Sequence, residues 1–145
     1  MINPHIFRAY DIRGIADPQD GVPADLTEET MFLIGQGTGS YMVKNHGNNI
    51  VISRDNRLTG EKLQRAFING LKSTGCNVTN INLATSPMLY WAVCYYKFDG
   101  GVSITASHNP KAYNGVKIVA ENAHSVSGDE IQEILKLIQN KDFIK

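Results

Sequence analysis

Ser107 and His108 stand side by side in Thr105-Ala106-Ser107-His108-Asn109-Pro110, a hydroxyl next to an imidazole in one short polar stretch. Such a pair first suggests acyl transfer, with the imidazole taking the hydroxyl proton as the oxygen attacks. The G-x-S-x-G elbow that presents such a nucleophile is absent, because Thr105 and Asn109 occupy the glycine positions. Neighbouring side chains also tend to diverge, which places His108 poorly as a base for Ser107. Ser, His, Asn and Pro are equally the residues of an ordinary turn. What raises Ser107 above that reading is Lys117, a lone cation in the apolar run Val116-Lys117-Ile118-Val119. Strand alternation puts Lys117 and Val119 on one face and Val116 and Ile118 on the other, and a return at Asn114-Gly115 would bring Lys117 beside the serine loop. A lysine drawn into a cleft gives up its proton more readily, while a lysine on an exposed edge strand only deters aggregation. Both readings fit the run.

Two arginine clusters could supply positive charge nearby. In Phe7-Arg8-Ala9-Tyr10-Asp11-Ile12-Arg13-Gly14 two planar guanidinium forks, each able to match phosphate oxygens, precede a glycine that permits a sharp turn. Ser53-Arg54-Asp55-Asn56-Arg57 follows an apolar run and either adds guanidinium to the same edge or pairs internally, Arg54 with Asp55, the internal pair being favoured. His5, His46 and His124 stand singly in polar surroundings and read as surface residues. No D-x-D or H-x-x-x-H spacing offers a metal cage. Gly35-Gln36-Gly37-Thr38-Gly39 lies inside a helical pattern and lacks the spacing of a dinucleotide fingerprint.

The elements that must position these residues follow from periodicity and caps. Thr27 caps a helix reaching about Lys44, and Asn49 to Ser53 is a β-branched strand. After Thr59 or Gly60, residues Leu63, Ala66, Phe67, Gly70 and Leu71 form one helical stripe, stopped at Gly75 and followed by a strand from Val78 to Leu83. Ser86-Pro87 opens a third helix whose nearly unbroken apolar run, Met88 to Tyr96, predicts that it is largely buried. Gly100-Gly101 breaks the chain before a strand from Val102 to Thr105, which delivers Ser107 to a strand's carboxyl end, where open α/β sheets place ligands. The strand around Val116 adds one antiparallel neighbour, and Ser127 with Glu130 caps a last helix striped by Ile131, Ile134, Leu135 and Ile138. The alternation predicts a three-layer α/β/α domain with a mixed, mainly parallel sheet, one domain over residues 1–145.

Composition narrows the function classes. With 42% hydrophobic and 19% charged residues the chain reads as a soluble globule. Fourteen basic against fourteen acidic residues leave no net field to draw in nucleic acid. The apolar runs at Ile81 to Leu83 and Met88 to Cys94 fall short of the roughly 20 residues that span a bilayer, and the start has no leader pattern. A cytoplasmic protein without nucleic-acid or membrane partners is expected, its two cysteines, Cys76 and Cys94, serving as buried thiols.

From Phe7 to about Leu137, the order of the Arg-Ala-Tyr-Asp-Ile-Arg-Gly, Ser-Arg-Asp-Asn-Arg and Thr-Ala-Ser-His-Asn-Pro segments, with Asn-Gly-Val-Lys-Ile behind, resembles the α-D-phosphohexomutase family. The opening is most similar to the phosphomannomutase/phosphoglucomutase branch, since phosphoglucosamine mutases more often open with a Phe-Gly-Thr-Asp-Gly type of segment. The resemblance implies that Ser107 carries a phosphoryl group and passes it to a hexose phosphate. The resulting hexose 1,6-bisphosphate turns over and returns its other phosphoryl, so that the 1- and 6-phosphates of mannose or glucose interconvert. By the same resemblance Lys117 matches a proton-transfer lysine, Arg13 and Tyr10 match residues beside the phosphoserine, and His108 lines the site. Arg8 and Asn109 join Tyr10 as expected phosphate contacts. Mg²⁺ is the implied cofactor, with the Ser107 phosphate as one ligand and aspartates of a D-G-D-x-D-R loop as the others. Family members have four domains, so this chain resembles the first of them, its partners being a hexose phosphate and the other three domains, which are absent from it. It is expected to fold alone without turnover and to carry unusually apolar faces where other domains would meet it. A stand-alone sugar-phosphate-binding or regulatory module, or a phosphoglucosamine mutase domain, are the alternatives.

Overall fold

The computed structural model describes residues 2–18 and 21–145. Five strands form one sheet: β1 (Ile12–Ile15), β2 (Asn49–Arg54), β3 (Asn77–Leu83), β4 (Gly100–Ile104) and β5 (Tyr113–Ala120), in the order β1-β5-β4-β2-β3. β2 pairs parallel with β3 and β4, while β5 pairs antiparallel with both β4 and β1. Four strands therefore run one way and β5 alone runs against them, which is the mixed, mainly parallel sheet that the pattern predicts.

Helices α1 (Glu28–Asn45), α2 (Gly60–Lys72) and α4 (Asp129–Asn140) cover one face and α3 (Ser86–Tyr95) the other, giving three layers. Alternation decides which strand residues meet which layer. Ile12, Ile50, Ile52, Val102, Ile104, Val116 and Ile118 join the main core with Leu63, Phe67, Leu71, Ile131, Ile134 and Ile138. Val51 and Val119 pack on Leu89, Ala92 and Val93 of α3. The α2 and α4 stripes are buried as their spacing requires. Thr27 Oγ1 accepts from the Thr30 N–H at 3.1 Å, capping α1.

Several expectations need correction. β1 escapes the sequence pattern, because four residues interrupted by Arg13 and Gly14 carry too little of it. Gly100 and Gly101 do not break the chain but lie inside β4, where a Cβ on Gly101 would sit 2.6 Å from Val93 Cγ2 and one on Gly100 2.7 Å from the Val119 carbonyl. Asn114-Gly115 is likewise inside β5, and the chain reverses earlier, across residues 107–112. α3 is not largely buried: Leu89, Ala92 and Val93 are buried and Tyr90 partly so against them, while Met88, Trp91, Tyr95 and Tyr96 are exposed. Cys76 is buried but Cys94 is exposed. His46 is half-buried, its Nδ1 at 2.9 Å from Glu121 Oε2. Gly128 rather than Ser127 occupies the cap position of α4, although the Ser127 N–H does donate to Glu130 Oε2 at 3.2 Å. Among the described residues no helix is long and apolar enough to cross a membrane.

Candidate active site

The carboxyl ends of β2 and β4, the start of β5 and the turn before β1 converge at one edge of the sheet. β4 ends at Ile104, and the chain from Thr105 to Ala112 loops over this edge before re-entering as β5. Thr105 extends the pairing by donating its N–H to the Gly115 carbonyl at 3.0 Å. Beyond it Ala106 is buried, while Ser107 and His108 are exposed.

Ser107 adopts φ +55°, a left-handed conformation that a residue with a Cβ takes up at a cost of about 1–2 kcal/mol. Its backbone is held on both sides. The N–H donates to Thr105 Oγ1 at 3.0 Å, and the carbonyl accepts from Arg57 Nη2 at 3.0 Å. Its hydroxyl lies 3.0 Å from His108 Nδ1, so the adjacent side chains converge and the expected divergence does not occur. The left-handed turn at Ser107 is what bends one side chain toward the next.

Arg57 is the hub beneath this loop. Nη1 donates to the Pro110 and Tyr113 carbonyls at 2.8 and 3.0 Å, Nη2 donates to Asn109 O at 2.8 Å as well as to Ser107 O, and Nε donates to Asp55 Oδ2 at 3.2 Å. The internal pair of this segment is thus Arg57 with Asp55. Arg54 instead reaches the Asp55 carbonyl at 3.3 Å and Glu61 at 4.0 Å. The reason is directional: Arg54 still belongs to β2, whereas the turn after Asp55 swings Arg57 back beneath the loop. Asp55 Oδ2 also accepts the Thr105 hydroxyl proton at 2.7 Å.

Arg13, on β1, pairs with Asp11 at 2.6 Å and donates through Nη1 to Asn109 Oδ1 at 2.8 Å. The first motif and the serine loop are thereby joined across 96 positions of sequence. The buried Asn114 side chain ties β5 to the start of α2, donating to Thr59 Oγ1 at 2.9 Å and accepting from the Gly115 N–H at 2.9 Å. A cleft of about 420 Å³ opens beside the loop, lined by Asp17, Asp55, Arg57, Thr59, Ser107, Asn109 and Lys111 among others.

The structure brings Ser107, His108, Asn109 and Arg13 into one bonded set. Arg8 and Tyr10 lie outside it: the Arg8 N–H closes a turn onto the Asp11 carbonyl, and the Tyr10 ring is 77% exposed. Lys117 is partly buried and sits opposite Ser103 in register, on the face it shares with Val119 and Ser53. Among the described residues it forms no ion pair. In the sequence Arg57 and Asp55 stand out only as part of an arginine cluster, with Asp55 as the partner of Arg54, and Thr105 only as a member of the serine motif. The Arg-Asp-Asn-Arg spacing held the signal, but adjacency favoured Arg54 as the partner.

For a metal ion this chain's own groups do not suffice. No set of three His, Cys, Asp or Glu side chains among the described residues could hold one, and the nearby carboxylates of Asp11 and Asp55 are engaged by guanidinium groups.

Comparison with known proteins adds to this geometry. Residues 4–145 match the family model described as phosphoglucomutase/phosphomannomutase, alpha/beta/alpha domain I. A phosphomannomutase of Vibrio cholerae is 37% identical over 141 residues, which are 95% of this chain and 29% of that protein. A phosphoglucomutase of Neisseria meningitidis is 38% identical over 138 residues, 95% of this chain and 28% of that one. The crystal structure of a phosphoglucomutase/phosphomannomutase family protein from Burkholderia thailandensis superposes with a TM-score of 0.88 at 32% identity, over 100% of this chain and 32% of that one. The chain spans about three-tenths of the length of the curated relatives it matches.

Proposed function

The chain belongs to the phosphoglucomutase/phosphomannomutase family, as its α/β/α domain I, and on that footing we propose that it is the serine-bearing unit of a phosphohexomutase. The reaction is the interconversion of the 1- and 6-phosphates of mannose or glucose through a phosphoserine at Ser107. One observation carries the reading: an exposed hydroxyl at a strand's carboxyl end, in a left-handed backbone, 3.0 Å from an imidazole nitrogen. Strained backbone of this kind, costing about 1–3 kcal/mol, concentrates at functional sites.

Phosphoryl transfer asks little covalent chemistry of a protein and depends on positioning and on neutralising charge. Ser107 Oγ attacks the phosphorus of a bound hexose bisphosphate. The Oγ–P bond forms as the P–O bond to the sugar breaks, and the electron pair leaves on the sugar oxygen. With its proton on Nε2, His108 accepts the serine proton through Nδ1 and aims Oγ. Lys117, partly buried and free of an ion pair among the described residues, is the candidate to give a proton to the sugar oxygen or take it back. Arg13 orients Asn109, Lys111 offers charge beside the cleft, and Arg8 and Tyr10 are phosphate contacts on the family resemblance alone. Mg²⁺, expected from the family resemblance, would be held chiefly by groups outside this chain. The domains that would supply those groups and select the sugar are likewise placed outside it, so the chain alone accepts a phosphoryl but does not turn over.

The test is intact-mass analysis after incubation with a hexose 1,6-bisphosphate. The wild-type chain gains one phosphoryl group and Ser107→Ala gains none. A wild-type chain that gains none, or a Ser107→Ala chain that still gains one, rejects the phosphoserine reading.

A further inference from the structure

We propose that Arg57 is the positioning residue of the Ser107 loop, acting with Asp55 and Thr105 to hold the serine in its reactive shape. The catalytic half of this inference rests on the phosphoserine reading, and the half that concerns the loop stands on geometry alone.

A guanidinium has five N–H donors in a rigid plane. In Arg57 all five are engaged: two on the Pro110 and Tyr113 carbonyls, two on the Ser107 and Asn109 carbonyls, and Nε on Asp55. The side chain is only 12% exposed. No donor is left for a substrate phosphate, so this arginine differs in kind from one that binds ligand. Its effect is to gather four carbonyls of the loop to one point on the inner side.

At Ser107 this hold is completed from the other direction. The Ser107 N–H is fixed on Thr105 Oγ1, whose own proton goes to Asp55 Oδ2, the oxygen that also receives Arg57 Nε. Asp55 Oδ1 in turn accepts the Arg57 N–H at 3.2 Å. The serine peptide is thus gripped at its N–H through Asp55 and Thr105 and at its carbonyl through Arg57. With both ends fixed the left-handed φ is over-determined and the side chain is directed away from the guanidinium toward His108. Lysine cannot replace this arrangement, because its donors spread from a single point and do not form a fork.

The experiment compares wild type with Arg57→Lys and Arg57→Ala. Arg57→Lys, folded by circular dichroism, should incorporate phosphoryl at Ser107 about 100-fold more slowly at saturating hexose bisphosphate, the loss expected when a reacting group is displaced by roughly 1 Å. The half-saturating concentration should not move. Guanidinium ion added to Arg57→Ala should restore the rate where methylammonium does not. Amide exchange across residues 106–113 should quicken while the helices keep their protection. A wild-type rate in Arg57→Lys, a defect that saturating bisphosphate removes, or equal rescue by both cations overturns the inference. If the wild type itself takes up no phosphoryl, the serine reading fails, and unchanged exchange at 106–113 in Arg57→Lys would overturn the loop-holding role as well. If Arg57→Lys does not fold, Asp55→Asn carries the same rate and exchange comparison.

Discussion

At the scale of single residues, the site is organised by who can donate to whom. Thr105, Ser107, Asp55 and Arg57 form a closed chain of hydrogen bonds in which each hydroxyl both donates and accepts or faces a base. The same scale separates the two thiols. On α3 the buried positions are Leu89, Ala92 and Val93, and Cys94, next along the helix, turns away from that stripe into solvent. Cys76 is packed beneath α1, and burial pushes its thiol upward, only partly offset by the Thr74 hydroxyl. A disulfide reagent at mildly alkaline pH should therefore modify Cys94 at once and Cys76 only on unfolding. Two fast thiols in the native protein, or a fast phase that survives Cys94→Ser, would contradict this. Local hydropathy would have ranked them the wrong way round, since Cys94 follows the apolar run Trp91-Ala92-Val93 whereas Cys76 stands among Thr74, Gly75 and Asn77.

Among the elements, α1 and α2 show why three glycines stand in a helix that would form more readily without them. A Cβ on Gly35 would run into the Phe67 carbonyl oxygen, and one on Gly70 into the Phe32 carbonyl oxygen. The two backbones touch where the helices cross, while Gly39 abuts the Thr74 side chain just beyond α2 and Gly37 the Ile138 side chain of α4. Gly35→Ala would gain about 1 kcal/mol of helix propensity, but it must push the touching backbones apart, and overpacking of this kind costs about 1–3 kcal/mol. The expected outcome is a net loss of stability in urea unfolding, with a lowered midpoint and an unchanged slope. A stabilised variant would mean that the helices slide apart freely. The elements also differ in how far the sequence reveals them. α2 and α4 alternate polar and apolar faces, so their buried stripes could be read directly. α3 is apolar nearly all round, and that hides which third of it the sheet covers.

Across the whole molecule, the three layers are unequal. α1, α2 and α4 close one face of the sheet, whereas α3 alone stands on the other and turns an aromatic surface outward. Trp91 stacks on Tyr95 with centroids 4.6 Å apart and planes 15° off parallel, Tyr96 meets it edge-on at 5.7 Å, and Met88 lies exposed beside it. Trp91 is the sole tryptophan, which makes the patch visible in fluorescence. In the isolated chain its emission should be that of a solvent-exposed indole and be quenched by acrylamide, and Trp91→Lys should change stability by no more than about 0.5 kcal/mol. Blue-shifted emission that resists quenching would show the surface covered in solution.

What the amino-acid sequence determined by itself is what local backbone geometry dictates: the 3.6-residue stripes of α2 and α4, the alternation that sends Val116 and Ile118 to one face and Lys117 to the other, and the cap at Thr27. Its motif order also carried the family, because those segments recur in one arrangement. Tertiary structure decided the rest. Arg57 meets the carbonyls of Ser107 and Asn109 from 50 and 52 positions away, Asn109 meets Arg13 from still farther, and only folding determines which remote donors and acceptors become neighbours. Periodicity specifies which way a side chain points. It does not specify what stands there to receive it, and that is why the serine was legible in the sequence and the arginine holding its loop was not.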